Sequence, residues 1–137
     1  MKKLPIFLLS LFFVLPTVAE EEMTELGKHM DELSGLLKSI RKYEDDQWNE
    51  KAGVVREAQE ALLKCFPLIP AMTEKVKDPE ARALQVADYK RLLAENYALL
   101  CQYEIAFLKK DEDLADDLYR ELKSIKKEGH TGYIEDN

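Results

Sequence analysis

The chain has 137 residues, 34% of them charged and 46% hydrophobic, with a formal net charge of −7. Those proportions exclude a disordered tail and describe one small globular domain able to bury a core. The acidity argues against nucleic acid and anionic lipid as partners, and two cysteines, Cys65 and Cys101, are too few for a disulfide scaffold.

Lys2 and Lys3 precede an apolar stretch from Leu4 to Leu15, broken only by Pro5 and Ser10, and Thr17-Val18-Ala19 ends in a small residue suited to cleavage. This pattern reads as a secretory signal peptide over residues 1–19, shorter than the ~20 apolar residues of a spanning helix. Cleavage leaves residues 20–137 as one domain, 118 residues long, and the loss of two lysines takes the net charge from −7 to −9. The expectation is a soluble periplasmic protein with no membrane contact after cleavage.

The mature chain reads as four helices. From Glu22 to about Tyr43, Met23, Leu26, Met30, Leu33, Leu37 and Ile40 recur at intervals of 3, 4, 3, 4 and 3, the seam of a packed helix. Asp45 or Asp46 is positioned to cap the second helix, Gln47 to Cys65 or Phe66. Its stripe is Trp48, Val55, Ala58, Leu62 and Cys65, with Lys51 in the remaining slot. Gly53 weakens it by up to ~1 kcal/mol relative to alanine.

Pro67 and Pro70 end that helix, and the connection to Lys77 is the one long loop. Asp78-Pro79-Glu80 starts the third helix: a capping carboxylate, a proline at the first turn, an acid at the positive end of the dipole. It runs to about Lys110 and is expected to be the most buried. Val86, Tyr89, Leu93, Tyr97, Leu100, Tyr103 and Phe107 lie on one face, with Ala94, Ala98, Cys101, Ile105 and Leu108 in a second stripe beside it. Lys109-Lys110 followed by Asp111-Glu112-Asp113 marks a tight turn. The fourth helix packs through Leu114, Leu118, Leu122 and Ile125 and gathers cations toward its C-terminus. With no strand signals, the predicted fold is all-α, an antiparallel up-down-up-down four-helix bundle.

That topology sets the start of helix one beside the end of helix four. Met30 and His130 then lie about 10 Å from the same end, at ~1.5 Å rise per residue. A thioether facing an imidazole suits the two axial positions of a haem iron, and Gly129 leaves space for a flat macrocycle. His29 points about 100° away from Met30 around the helix and reads as a surface residue. Cys65 and Cys101 sit on the order of 25 Å apart in an antiparallel hairpin, too far for a bridge that needs ~7 Å between Cα atoms. Cys101 reads as a buried small hydrophobe, and Cys65 shares the end of the bundle with the candidate haem site. No nucleophile–base pair, glycine-rich phosphate loop or HExxH is present, so an enzyme is not expected. The acidic runs read as helix starts and solvated faces.

These features resemble the cytochrome b562 family of periplasmic four-helix haem proteins. The resemblance lies in Met30-Asp31-Glu32-Leu33 through Leu37-Lys38-Ser39-Ile40, and in Leu122-Lys123 through Lys126 to His130 and Tyr133. It spans nearly the whole mature chain and implies a non-covalent haem b, with Met30 and His130 as iron ligands. The cofactor-contact set under this reading is Leu26, Leu37, Cys65, Tyr89, Leu93 and Lys126. Tyr89 preserves a family aromatic contact in kind, whereas Leu93 is aliphatic. Lys126 stands where the family has arginine and Ile134 where it has a basic residue, so propionate anchoring is weaker. Lys126 and Gly129 occupy the cysteine slots of relatives with covalent haem, which excludes thioether attachment there. Periplasmic electron transfer is the expected function, with an unidentified redox partner and a monomer or weak dimer. The alternatives are a haemless interaction or chaperone-like module, and a haem-based gas sensor or carrier in which Met30 detaches.

Overall fold

The computed structural model describes the backbone of residues 24–133 and the side chains of residues 24–127. The expected signal peptide and Ile134 lie outside the described residues. Everything described is helix, turn or coil, without a strand. Among the described residues, no helix is long and apolar enough to cross a membrane.

Helix α1, Glu25–Ser39, starts at Thr24, whose hydroxyl accepts from the Gly27 amide at 3.0 Å. A 3-10 turn over Ile40–Lys42 tightens its end. Leu26, Leu33 and Ile40 are buried, and Met30 and Leu37 pack half-buried against the core. From Leu26 onward the seam expected from spacing is therefore the face that packs; Met23 lies outside the described residues.

Helix α2 spans Trp48–Leu63. Neither Asp45 nor Asp46 caps it, contrary to expectation. Gln47 holds the cap position, and its side-chain oxygen turns back to accept from the Glu44 amide at 2.7 Å, bracing the preceding turn instead. Seven of its sixteen residues are buried, including Ala52, Ala58 and Ala61 at no more than 1% exposure. Alanine at these positions lets neighbouring backbones approach closely.

The connection after α2 is not simply a long loop. Pro70 leads into a one-turn helix α3, Ala71–Glu74, in which the fully buried Thr73 hydroxyl donates to the Pro70 carbonyl at 2.8 Å. That local bond satisfies a polar group that would otherwise be desolvated without compensation.

Helix α4, Pro79–Leu108, begins as expected, with the Asp78 carboxylate accepting from the Ala81 amide at 3.0 Å. Its buried face carries Tyr89, Leu93, Leu100, Tyr103 and Phe107. The second stripe differs from expectation: Ala94, Ala98, Ile105 and Leu108 are exposed and Cys101 is only half-buried. Leu92, Leu99 and Ala106 go inside in their place. Each stands one position before a seam residue, so the buried arc widens toward that side of the helix and not the other. Periodicity marks a stripe but not which flank a neighbour covers. With eight buried residues in thirty, α4 is less buried for its length than α2.

The turn into α5 places Lys110 at φ 60°. The Asp111 amide donates to the Ala106 carbonyl at 2.9 Å and the Lys110 amide to the Phe107 carbonyl at 3.0 Å, the paired bonds of a left-handed helix cap. Asp111 then caps α5, Glu112–Tyr133, by accepting from the Leu114 amide at 3.0 Å. Ala115, Leu118 and Leu122 are buried, whereas Leu114, expected in the seam, faces out at 39% exposure.

Sequence neighbours pack pairwise, α1 on α2, α2 on α4 and α4 on α5. Helices α2 and α4 run in opposite directions, since Trp48 meets Phe107 with ring centroids 6.3 Å apart while Gln59 donates to Glu104 at 2.8 Å. Helices α1 and α5 touch through long side chains. Lys126 Nζ donates to Ser34 Oγ at 2.7 Å, and Arg41 donates to the Tyr119 hydroxyl at 3.4 Å.

Candidate functional site

The α1–α5 contacts define a register. Residue numbers in both cross-helix pairs, 34 with 126 and 41 with 119, add to 160. Arg41 belongs to the 3-10 turn that follows α1, so the count is carried from the Lys126–Ser34 pair, along two α-helices with the same rise per residue. It places position 130 level with Met30. Helix α5 continues through position 130 to Tyr133, so the backbone reaches the required height; the His130 side chain lies outside the described side chains. Lys126 and Ser34 bridge the two helices one turn from this level.

Met30 packs half-buried against the apolar core. Leu26, Leu33, Cys65, Tyr89 and Leu93 are each buried to 9% exposure or less. Cys65 is the one thiol in that wall. Burial, reinforced by the negative charge of Glu32, pushes it from its ordinary value near 9 up to about 11. It stays protonated at neutral pH and donates weakly to the Ala61 carbonyl at 3.6 Å. A protonated thiol is a poor metal ligand, so Cys65 acts as wall. Burial also raises the Tyr89 phenol, with the nearby Cys65 sulfur contributing. This electrostatic coupling joins the end of α2 to the first half of α4. His29 is partly covered, with Nδ1 3.8 Å from Glu32. Among the described residues, no three His, Cys, Asp or Glu side chains converge as a metal-ion site.

The structure thus sets Cys65 beside Tyr89, places Leu26 and Leu93 in the same buried core against which Met30 packs, and puts Lys126 at the α1–α5 seam. Leu37 separates from that group. Two helical turns beyond Met30, it lines a cavity of about 330 Å³ with Ile40, Trp48, Tyr103 and Tyr119. Both cysteines are free, as their calculated separation requires, but Cys101 is half-buried and not the enclosed hydrophobe expected. The cavity was not read from the sequence. Its one visible signal was Lys51, a cation in an otherwise apolar stripe.

No family model, curated protein or solved structure matches this chain.

Proposed function

We propose that the chain is an antiparallel up-down-up-down four-helix bundle that binds haem b non-covalently and carries single electrons outside the cytoplasm, after removal of residues 1–19. The shared level of Met30 and position 130 is the observation that carries this reading. The lining fits the group: a thioether, an apolar wall of Leu26, Tyr89 and Leu93, and a thiol held neutral beside them. Met30 and His130 would be its iron ligands and Lys126 a single point contact for a propionate.

When bound, haem supplies a one-electron couple, and a methionine–histidine ligand pair raises its potential. The protein's part is to hold the thioether at fixed height on α1, exclude water with the buried leucines, and keep the Cys65 proton in place. With Met30 and His130 both serving as iron ligands, no open coordination position would be left for a substrate, which favours electron transfer over catalysis. An unidentified redox partner would meet an acidic surface. Met30 is only half-buried, and this favours one second reading, a sensor or carrier in which the thioether yields to a gas.

Haem titration of the purified mature chain tests the proposal. A sharp low-spin spectrum with resolved reduced bands, lost in His130→Ala, is the expected result. A chain that stays colourless with haem in excess defeats it. A high-spin spectrum that shifts under carbon monoxide selects the second reading.

A further inference from the structure

The cavity at the far end of α1 holds an unusual set of charges. Lys51 lines it and is 8% exposed, yet its ammonium has no carboxylate within 4.0 Å among the described residues. It lies 5.0 Å from the Trp48 ring centroid and 5.8 Å from that of Phe107, packed over two aromatic faces. Arg41 also lines the cavity, with its guanidinium 5.3 Å from the Tyr119 ring. Three carboxylates, Asp45, Glu112 and Asp116, line the same space from exposed positions, and none pairs with Arg41 or Lys51 among the described residues.

Opposite charges around one cavity ordinarily neutralise each other across it. Here both cations lie against aromatic rings, Lys51 beside Trp48 and Phe107 and Arg41 beside Tyr119, and the acids line the same space from exposed positions without pairing with either among the described residues. An ammonium on a largely covered side chain is further stabilised by a counter-anion, and cation–π contact supplies only part of that stabilisation. The volume of about 330 Å³ is at the lower end for a small-molecule site. Leu37 and Ile40 add aliphatic wall.

From this arrangement we infer that the cavity binds a small zwitterion with an aliphatic body, of the free amino-acid class. Its carboxylate meets Lys51 and Arg41, its ammonium faces Asp45, Glu112 and Asp116, and its side chain lies against Leu37 and Ile40. The site stands at the opposite end of α1 from Met30 and does not depend on the haem reading.

The chain has a single tryptophan, Trp48, and it lines the cavity, so its fluorescence reports occupancy directly. The mature chain is titrated with L-leucine, with N-acetyl-L-leucine, which keeps only the negative charge, and with L-leucine methyl ester, which keeps only the positive one. Fluorescence and calorimetry are read together. Leucine is expected to bind at least about tenfold more tightly than either derivative, a difference of about 1.4 kcal/mol. Lys51→Met should weaken leucine at least about tenfold with an unchanged circular dichroism spectrum, and Arg41→Gln, at an exposed position, provides a second variant. Absence of heat and of fluorescence change with leucine up to ~10 mM, below which even weak specific sites saturate, overturns the inference. Equal binding of leucine and either derivative overturns it as well, since one set of charges would then play no part.

Discussion

Replacing Lys51 by methionine should stabilise the ligand-free protein. The methionine chain retains the unbranched stem that packs beside Trp48 and Phe107, and it removes the ammonium. Lys51 as a residue is 8% exposed, and its ammonium borders the cavity without a carboxylate partner among the described residues. An effective desolvation penalty of several kcal/mol is the general expectation for a buried ion, reduced where it borders a water-accessible cavity. Cation–π contact with two rings, about 0.5–2 kcal/mol in all at partly desolvated positions, is lost in the same exchange. The balance favours methionine by about 1 kcal/mol. For a domain of this size that corresponds to roughly 4 °C in Tm, or about 0.5 M in urea midpoint at ordinary m-values. Urea melts of the two proteins at matched pH decide the matter. A variant less stable than the parent by 1 kcal/mol or more would show that the rings hold Lys51 at a net gain. The charge would then be structural, and the argument that it awaits an anion would fail.

Leu100 is fully buried on α4 where α2 packs, so Leu100→Ala should cost about 2–5 kcal/mol in urea unfolding; a loss below 1 kcal/mol would mean that the α2–α4 contact is not the core. Lys110 sits at φ 60°, a conformation costing an L-residue ~1–2 kcal/mol. Lys110→Gly relieves it while adding freedom to the unfolded chain, for a net gain of about 0.5 kcal/mol; a drop in Tm contradicts this. Stability should also fall in alkali. Cys65 rises from about 9 to about 11 on folding, and the Tyr89 and Tyr103 phenols are raised by burial too. A raised value means that the fold favours the protonated form, so the cysteine's contribution is complete below pH 9 and is lost as pH climbs through 11. Urea midpoints that stay flat from pH 8 to about 11 would refute those shifts.

Helix existence and most boundaries were legible because their causes are local. Apolar residues at helical spacing in α1, Asp78 before Pro79, and Lys109-Lys110 before Asp111 each act within a turn or two of themselves. The tight turn between α4 and α5 was legible for the same reason, since Lys109-Lys110 and Asp111 favour opposite ends of two successive helix dipoles. The start of α2 was less so. Asp45 and Asp46 satisfied a capping pattern, but Gln47 won through a bond to Glu44 that composition does not announce.

What the chain alone determined about this protein, then, is its helices and their order along the sequence. Only the tertiary structure decided which flank of α4 is covered, because that depends on where α2 and α5 settle around it. Ile105 and Leu108 were left exposed and Leu92 and Leu99 taken inside, although both sets repeat at helical intervals. The same packing moved Leu37 from the Met30 end to the opposite cavity and buried Lys51 within it. Side chains from α1, α2, α4 and α5 meet there from distant positions, Arg41 and Tyr119 for example being 78 residues apart. No local pattern encodes such a meeting, since it is set by how far the helices stand apart and not by the spacing along any one of them.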